Sequence, residues 1–260
     1  MGEILEVYRR TRKPRDLAFN TYVCRPLAAA FVVVLRGARF TPNQVSFFSL
    51  LLAWCAAALL VWLPGRVGWW LGVLVLELSY VFDCVDGMLA RERGVQSQAG
   101  HLLDFLMDEI KAFFVLGAVA LGAYRREGDP ELLIWGVVGL ACLASGIGLT
   151  TFQRRPEIMA IEGTNPDNRQ GAKNTKASPS KSAVRLAERV GSQLIHYPSY
   201  IWLVPLLNEP RVYLYPYVVV NGVYMLRALS VTALRHGRFS HGARSTSAEL
   251  IDQERRDVGE

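Results

Sequence analysis

Apolar residues in this chain come in long blocks separated by short polar turns, and those blocks set the expected elements. Val45 to Leu63 carries no charge over nineteen residues, enough to cross a bilayer as a helix. Thr41 suits its N-cap, Pro42 its first turn, and Pro64-Gly65-Arg66 ends it. Gly68 to about Arg91 predicts a second helix, whose apolar half gives way to acids at Asp83 and Asp86. Gln98 to Tyr124 predicts a third, with Asp104, Asp108, Glu109 and Lys111 in its first half. After a polar turn, Arg125 to Pro130, comes a fourth helix, Glu131 to Phe152. Leu194 to Leu207 predicts a fifth, lengthened at its start by a helical stretch from Lys181 to Gln193. Asn208 to Arg211 is a turn, and Val212 to Leu234 predicts the sixth.

The segment Asp16 to Arg36 reads differently. Its unbroken apolar part, Leu27 to Leu35, is too short to span, and Arg25-Pro26 interrupts the half before it. A helix lying in the membrane interface is expected there. The expected fold is therefore all-α and integral to the membrane: six transmembrane helices plus an N-terminal amphipathic interfacial helix. The chain divides into a cytosolic N-terminal segment (1–43), a transmembrane catalytic region (44–234) and a polar cytosolic tail (235–260) expected to be disordered. A polar loop, 153–182, lies within the middle region and reads as a solvated connection or as a lid. The first fifteen residues carry arginines but no small-residue cleavage pattern, so a removed signal peptide is not expected.

Composition narrows the class. Of 260 residues, 51% are hydrophobic and 20% charged, which excludes a disordered chain and, with the apolar residues in blocks, argues against an ordinary soluble enzyme. The net charge of +6 sits between apolar blocks, the pattern of a protein facing anionic headgroups rather than nucleic acid. On the side shared by the termini, the long loop and the turn after the second helix there are 23 basic residues, against four on the other. Both termini and the acidic ends of helices two and three are thus expected in the cytosol. The four cysteines form no CxxC pair and read as small apolar residues of membrane helices.

Ionisable residues within membrane helices are costly and by default mark function. Asp83 and Asp86 stand at i and i+3, and Asp104 and Asp108 at i and i+4, so each pair shares a helix face. The two helices are joined by a short turn, so the faces can converge. Four carboxylates at close range repel in a low-dielectric site and call for protons or divalent cations. Hard oxygen ligands select Mg²⁺, Mn²⁺ or Ca²⁺. Gly87 and Ala90 leave room between the helices, and Arg91 adds a cation, so a metal-bridged diphosphate would satisfy the site. Lys111, three residues after Asp108, is expected to pair with an acid rather than to catalyse.

From Asp83 to Asp108 the residues run D-C-V-D-G-M-L-A-R, then eight residues, then G-x3-D-x3-D. This resembles the signature of the CDP-alcohol phosphotransferases, matched without a gap at all eight specified positions, and Thr41-Pro42-Asn43 also resembles that family. The resemblance implies a homodimer, with Asp83, Asp86, Asp104 and Asp108 as ligands of a two-metal Mg²⁺ or Mn²⁺ site and Asp108 as general base. It implies a CDP pocket lined by Asn43, Gly87, Ala90, Arg91, Ser97 and Gly100. The implied reaction is attack of an acceptor hydroxyl on the β-phosphoryl of a CDP-linked donor, with CMP expelled. CDP-diacylglycerol is the natural donor for a site at the membrane surface, and the arginine-rich composition suggests a bacterial plasma membrane.

Family members with phosphorylated acceptors carry basic residues in regions comparable to Arg154, Arg155, Arg189 and Arg227, which are therefore the candidate acceptor-binding residues. A phosphorylated polyol such as glycerol 3-phosphate or inositol 1-phosphate is the expected acceptor. Serine, free inositol, another CDP-linked donor or a non-catalytic scaffold are the alternatives. A prenyltransferase would need two separated Asp-rich motifs, whereas the acids here concentrate in one.

Overall fold

A computed structural model describes residues 2–13, 16–158 and 197–257. Among these residues every regular element is helical. The helices are α1 (Gly2–Thr11), α2 (Arg25–Leu35), α3 (Pro42–Trp62), α4 (Gly65–Glu92), α5 (Gln98–Glu127), α6 (Pro130–Gln153), α7 (Leu203–Leu207) and α8 (Arg211–Asp257). One wide helical turn, Asn20–Cys24, leads into α2, and a tight turn, Tyr197–Ser199, precedes α7. The chain divides into two compact units, Met1–Ala141 with Pro179–Val220, and Cys142–Ser178 with Asn221–Glu260.

Among the described residues, three helices are long and apolar enough to cross a membrane: α3, α6 and the Arg211–Leu234 part of α8. The inside-out packing of α3 supports that reading. Its buried face is built from small residues, Ser46, Ser49, Ala53 and Ala56, while Phe47, Phe48, Leu51 and Trp54 are exposed. Small residues let helix backbones approach closely, and large apolar ones suit lipid. Where α3 meets α4, Ser49 Oγ donates to the Ser79 carbonyl (2.8 Å) and Ser79 Oγ to the Ser49 carbonyl (2.7 Å). A capping box starts α3: Gln44 N donates to Thr41 Oγ1 (3.3 Å) and Thr41 N to Gln44 Oε1 (2.9 Å).

At the end of the first unit away from the aspartates, α3, α4 and α5 are tied by Arg126. Its Nη1 donates to the carbonyls of Leu60 and Gly122 (2.7 Å each), its Nη2 to Leu63, and its guanidinium lies 4.1 Å from the centre of the Trp69 ring. A Cβ on Gly68 would overlap the Leu63 carbonyl oxygen, and one on Gly122 that of Leu60, so hydrogen at both positions is what admits the guanidinium.

At the other end, α1, α2 and the last three turns of α4 share a core of Val7, Ala28, Ala29, Val32, Cys84, Val85, Met88 and Leu89. Ion pairs Arg36–Glu3 and Arg10–Glu92 flank it. Arg93 donates to the carbonyls of Leu35 (2.7 Å) and Ala38 (2.8 Å), satisfying groups that the end of α2 leaves free.

Three elements depart from expectation. Residues 2–11 form a helix that the arginine-rich N-terminus did not suggest, because its apolar face is only a few residues long. The expected continuous helix to Leu207 is broken over its described part, 197–207, where Pro198 and Pro205 remove backbone donors; Lys181 to Gln193 lies outside the described residues. The backbone beyond Leu234, expected to be disordered, continues as helix to Asp257.

Candidate active site

Asp83 and Asp86 project from α4, and Asp104 and Asp108 from α5. Gly94 makes their convergence possible. It follows the last turn of α4 at φ +64°, a left-handed conformation that costs glycine nothing and reverses the chain within a few residues. Ser97 then caps α5, its Oγ accepting from Gly100 N at 3.0 Å.

One carboxylate oxygen from each of Asp83, Asp104 and Asp108 lies within 4.8 Å of the others. Lys111, fully buried, sits against this cluster, its Nζ paired with Asp83 and 3.4 Å from Asp108 Oδ1. The expected lysine–acid pairing is thus present, with two acids. Asp86 stands outside the trio and accepts a hydrogen bond from Ser46 Oγ of α3. Three converging hard oxygens suit a divalent cation of the Mg²⁺ class, and the buried ammonium supplies part of the positive charge the cluster needs.

The aspartates open on a cavity of about 670 Å³ built from the first unit. All four line it, as do Asn43, Gly87, Ala90, Arg91, Ser97 and Gly100, the residues marked from the sequence for a CDP pocket. A Cβ on Gly87 would meet only the Arg91 guanidinium, at 3.5 Å, so the space beside this residue belongs to the cavity. At Gly100 it would lie 3.1 Å from Ser97 Oγ and 3.8 Å from Asn43 Oδ1. Arg91 is oriented by α1: its Nε donates to the Thr11 carbonyl at 2.6 Å.

The cavity also takes residues that the sequence did not single out, Lys13, Asn20, Arg25, Ser46, Tyr80 and Arg93, together with His101, whose place beside Gly100 already made it a candidate for touching substrate. Arg25 was visible as a charge breaking an apolar run. Its partner Asp16 is nine residues away across the wide turn, a spacing that no helical periodicity would pair. Burial opposes ionisation of Asp16, but the hydrogen bond and charge of Arg25, with Asn20 and the Leu17 amide, hold its carboxyl below the ordinary value. Of the candidate acceptor residues, Arg154, Arg155 and Arg227 belong to the second unit, and Arg189 lies outside the described residues.

The family model for CDP-alcohol phosphatidyltransferases matches residues 39–173, just over half of the chain. The chain belongs to the CDP-alcohol phosphatidyltransferase family. The match includes Asn43, all four aspartates and every cavity residue contributed by the last turns of α4 and the start of α5. This phosphatidyltransferase-family chain is 33% identical over 144 residues to a phosphatidylinositol phosphate synthase of Streptomyces avermitilis, 55% of each chain. It is 28% identical over 141 residues to a protein of the same name from Cutibacterium acnes, covering 54% of this chain and 63% of that one. A Rubrobacter xylanophilus protein named bifunctional IPC transferase and DIPP synthase is 35% identical over 96 residues, 35% of this chain and 21% of that one. The chain thus spans little more than half the length of the synthases it matches.

Proposed function

We propose that the protein transfers a phosphatidyl group from CDP-diacylglycerol to the hydroxyl of a phosphorylated polyol, inositol 1-phosphate first, with release of CMP. The observation that carries this reading is the trio of aspartate oxygens within 4.8 Å at one end of a cavity lined by the residues of the family signature. The names of the similar synthases favour inositol phosphate over glycerol 3-phosphate as the acceptor.

Asp83, Asp86, Asp104 and Asp108 would hold divalent cations, which supply positive charge to the diphosphate oxygens when bound. Asp108 has the most exposed carboxylate of the Lys111 pairs, its side chain half-exposed. It takes the acceptor hydroxyl proton at a carboxylate oxygen while Lys111 fixes its orientation. The acceptor oxygen bonds to the β-phosphorus, the bond from that phosphorus to the CMP oxygen breaks, and CMP leaves with the electron pair. Asn43, Arg91, the open face of Gly87, Ala90 and Gly100 seat the nucleotide, with Ser97 as the cap that holds Gly100 in place. Arg154, Arg155, Arg189 and Arg227 remain candidates for the acceptor phosphate.

In this reading α4 and α5 also cross the membrane. They are 28 and 30 residues long, and they fall short of a purely apolar span because they carry the site. With α3, α6, α8 and the segment ending at Leu207 they make six spans, preceded by α2 at the interface. The excess of basic residues on one side supports a site and both termini facing the cytosol, the bacterial sources of the similar synthases favour a bacterial plasma membrane, and the family resemblance favours a homodimer. Residues 1–43 form the cytosolic entry to the membrane region 44–234, and 235–260 a cytosolic tail.

The test is CMP release by purified protein in micelles with CDP-diacylglycerol, Mg²⁺ or Mn²⁺, and inositol 1-phosphate, glycerol 3-phosphate, inositol or serine singly. Release with inositol 1-phosphate, lost in Asp108→Asn, is expected. Release with serine or free inositol alone would overturn the acceptor assignment, and no release with any would overturn the donor.

A further inference from the structure

Arg25 lines the cavity, and its side chain is only 5% exposed. Nε of its guanidinium is paired with Asp16, while Nη1, fully buried, has no hydrogen-bond partner. A buried charged donor without a partner is costly, and proteins keep such groups where a ligand completes them. The support behind Arg25 is built with care. Asp16 Oδ1 accepts from Leu17 N (2.9 Å) and Asn20 Nδ2 (3.0 Å), and Asn20 Oδ1 accepts from the hydroxyl of Tyr80 on α4 (2.9 Å). Four residues thus hold one guanidinium in a fixed pose with a free donor.

The neighbourhood selects the ligand. Arg25 and Arg91 line the same cavity, where their like charges oppose one another, and the carboxylates acting on Arg91 are Asp86 and Asp16. Asp86 is engaged by Ser46, and Asp16 by Arg25. Two guanidiniums lining one cavity, one fixed by Asp16 and the other by the neutral Thr11 carbonyl, match an oxyanion with several acceptor oxygens.

We propose that Arg25, positioned by Asp16 and Asn20, is a phosphate-binding residue of this cavity, its free Nη1 donating to a phosphoryl oxygen of a substrate next to Arg91. The assignment of that phosphate to a substrate rests on the function proposed above, and its source is either the diphosphate of the nucleotide donor or the monoester of the acceptor.

The experiment measures dissociation constants of CDP and of inositol 1-phosphate on full-length, Mg²⁺-loaded protein in micelles, for wild type, Arg25→Gln and Arg25→Lys. KM for each substrate and the melting temperature are measured alongside. Loss of one charge-assisted contact is expected to weaken one of the two ligands about ten- to a hundredfold in Arg25→Gln. The other ligand should stay within about twofold of wild type. Arg25→Lys keeps the charge beside Asp16 but not the fork, so it should show an intermediate loss for the same ligand, and it carries the test should Arg25→Gln not fold. A loss confined to CDP assigns the phosphate to the donor, and one confined to inositol 1-phosphate to the acceptor; each supports the proposal. Wild-type affinity for both ligands in the variants, or equal weakening of both with a lower melting temperature, overturns it. Wild-type protein that binds CDP through Arg25 but releases no CMP would sink the proposed reaction and leave the phosphate assignment standing.

Discussion

Replacing Lys111 by methionine isolates the charge balance of the aspartate cluster while nearly preserving side-chain volume. With carboxylate oxygens within 4.8 Å, each ionised pair repels by about 3.5 kcal/mol at an effective dielectric constant near 20. Lys111, 3.4 Å from Asp108 and in contact with Asp83, offsets an amount of the same order per contact. Removing one partner of a buried ion pair costs about 3–5 kcal/mol, because the remaining charge stays buried. For a chain of this size that is a fall of about 6–20 °C in melting temperature. The assay is thermal unfolding in micelles at neutral pH, first with chelator and then with saturating Mg²⁺. Metal-free Lys111→Met should melt lower than wild type by that amount and gain more from Mg²⁺ than wild type does, since a bound cation replaces the missing ammonium. A variant that melts like wild type without metal, and shifts equally with it, would refute the claim that Lys111 balances the cluster.

Other outcomes follow from the same geometry. Asp16 ionises more readily folded than unfolded, so its contribution is present above the ordinary carboxylate value of 3.8 and disappears as pH falls through its lower folded value. Wild type should therefore lose its stability advantage over Asp16→Asn as the pH is lowered from about 5 to about 2, read as melting temperature against pH. Gly122→Ala, whose Cβ would overlap the Leu60 carbonyl and lie 2.8 Å from Arg126 Nη1, should destabilise by about 1–3 kcal/mol. Gly117→Ala on the same helix meets nothing nearer than 3.9 Å and should not, by the same melting assay. Thr41→Ala removes the cap of α3 and should cost about 1 kcal/mol, read by the same melting assay.

The aspartates were legible in the sequence because helical spacing alone puts each pair on one face, and because the turn joining the two helices is short enough to bring the faces together. The inward Ser46, Ser49 and Ala53 of α3 were less visible, since in an apolar block only packing says which side is lipid. The orientation of Arg91 could not be read at all. Its partner is a backbone carbonyl 80 residues away, and a carbonyl carries no residue type to recognise. Arg25 drew notice as a charge in an apolar run and was taken for an interruption. Only the pairing with Asp16, which depends on the wide turn at Asn20–Cys24, shows it held in place. The break before Leu207 escaped because hydropathy counts Pro198 and Pro205 as tolerable residues while the backbone does not.

The contact between Thr11 and Arg91 also sets an order of events during synthesis. α1 leaves the ribosome 80 residues before the arginine it orients, which at about 5–20 residues per second is a delay of about 4–16 s. Through that interval the apolar side of α1 can pack only against Ala28, Ala29 and Val32 of α2, since Val85, Met88 and Leu89 do not yet exist. The membrane surface can cover what α2 leaves open, and the flanking Arg9, Arg10 and Arg12 are suited to hold the nascent segment against anionic headgroups. The cavity beside Arg91 is then completed by a segment made well before it, once the end of α4 offers that segment a partner.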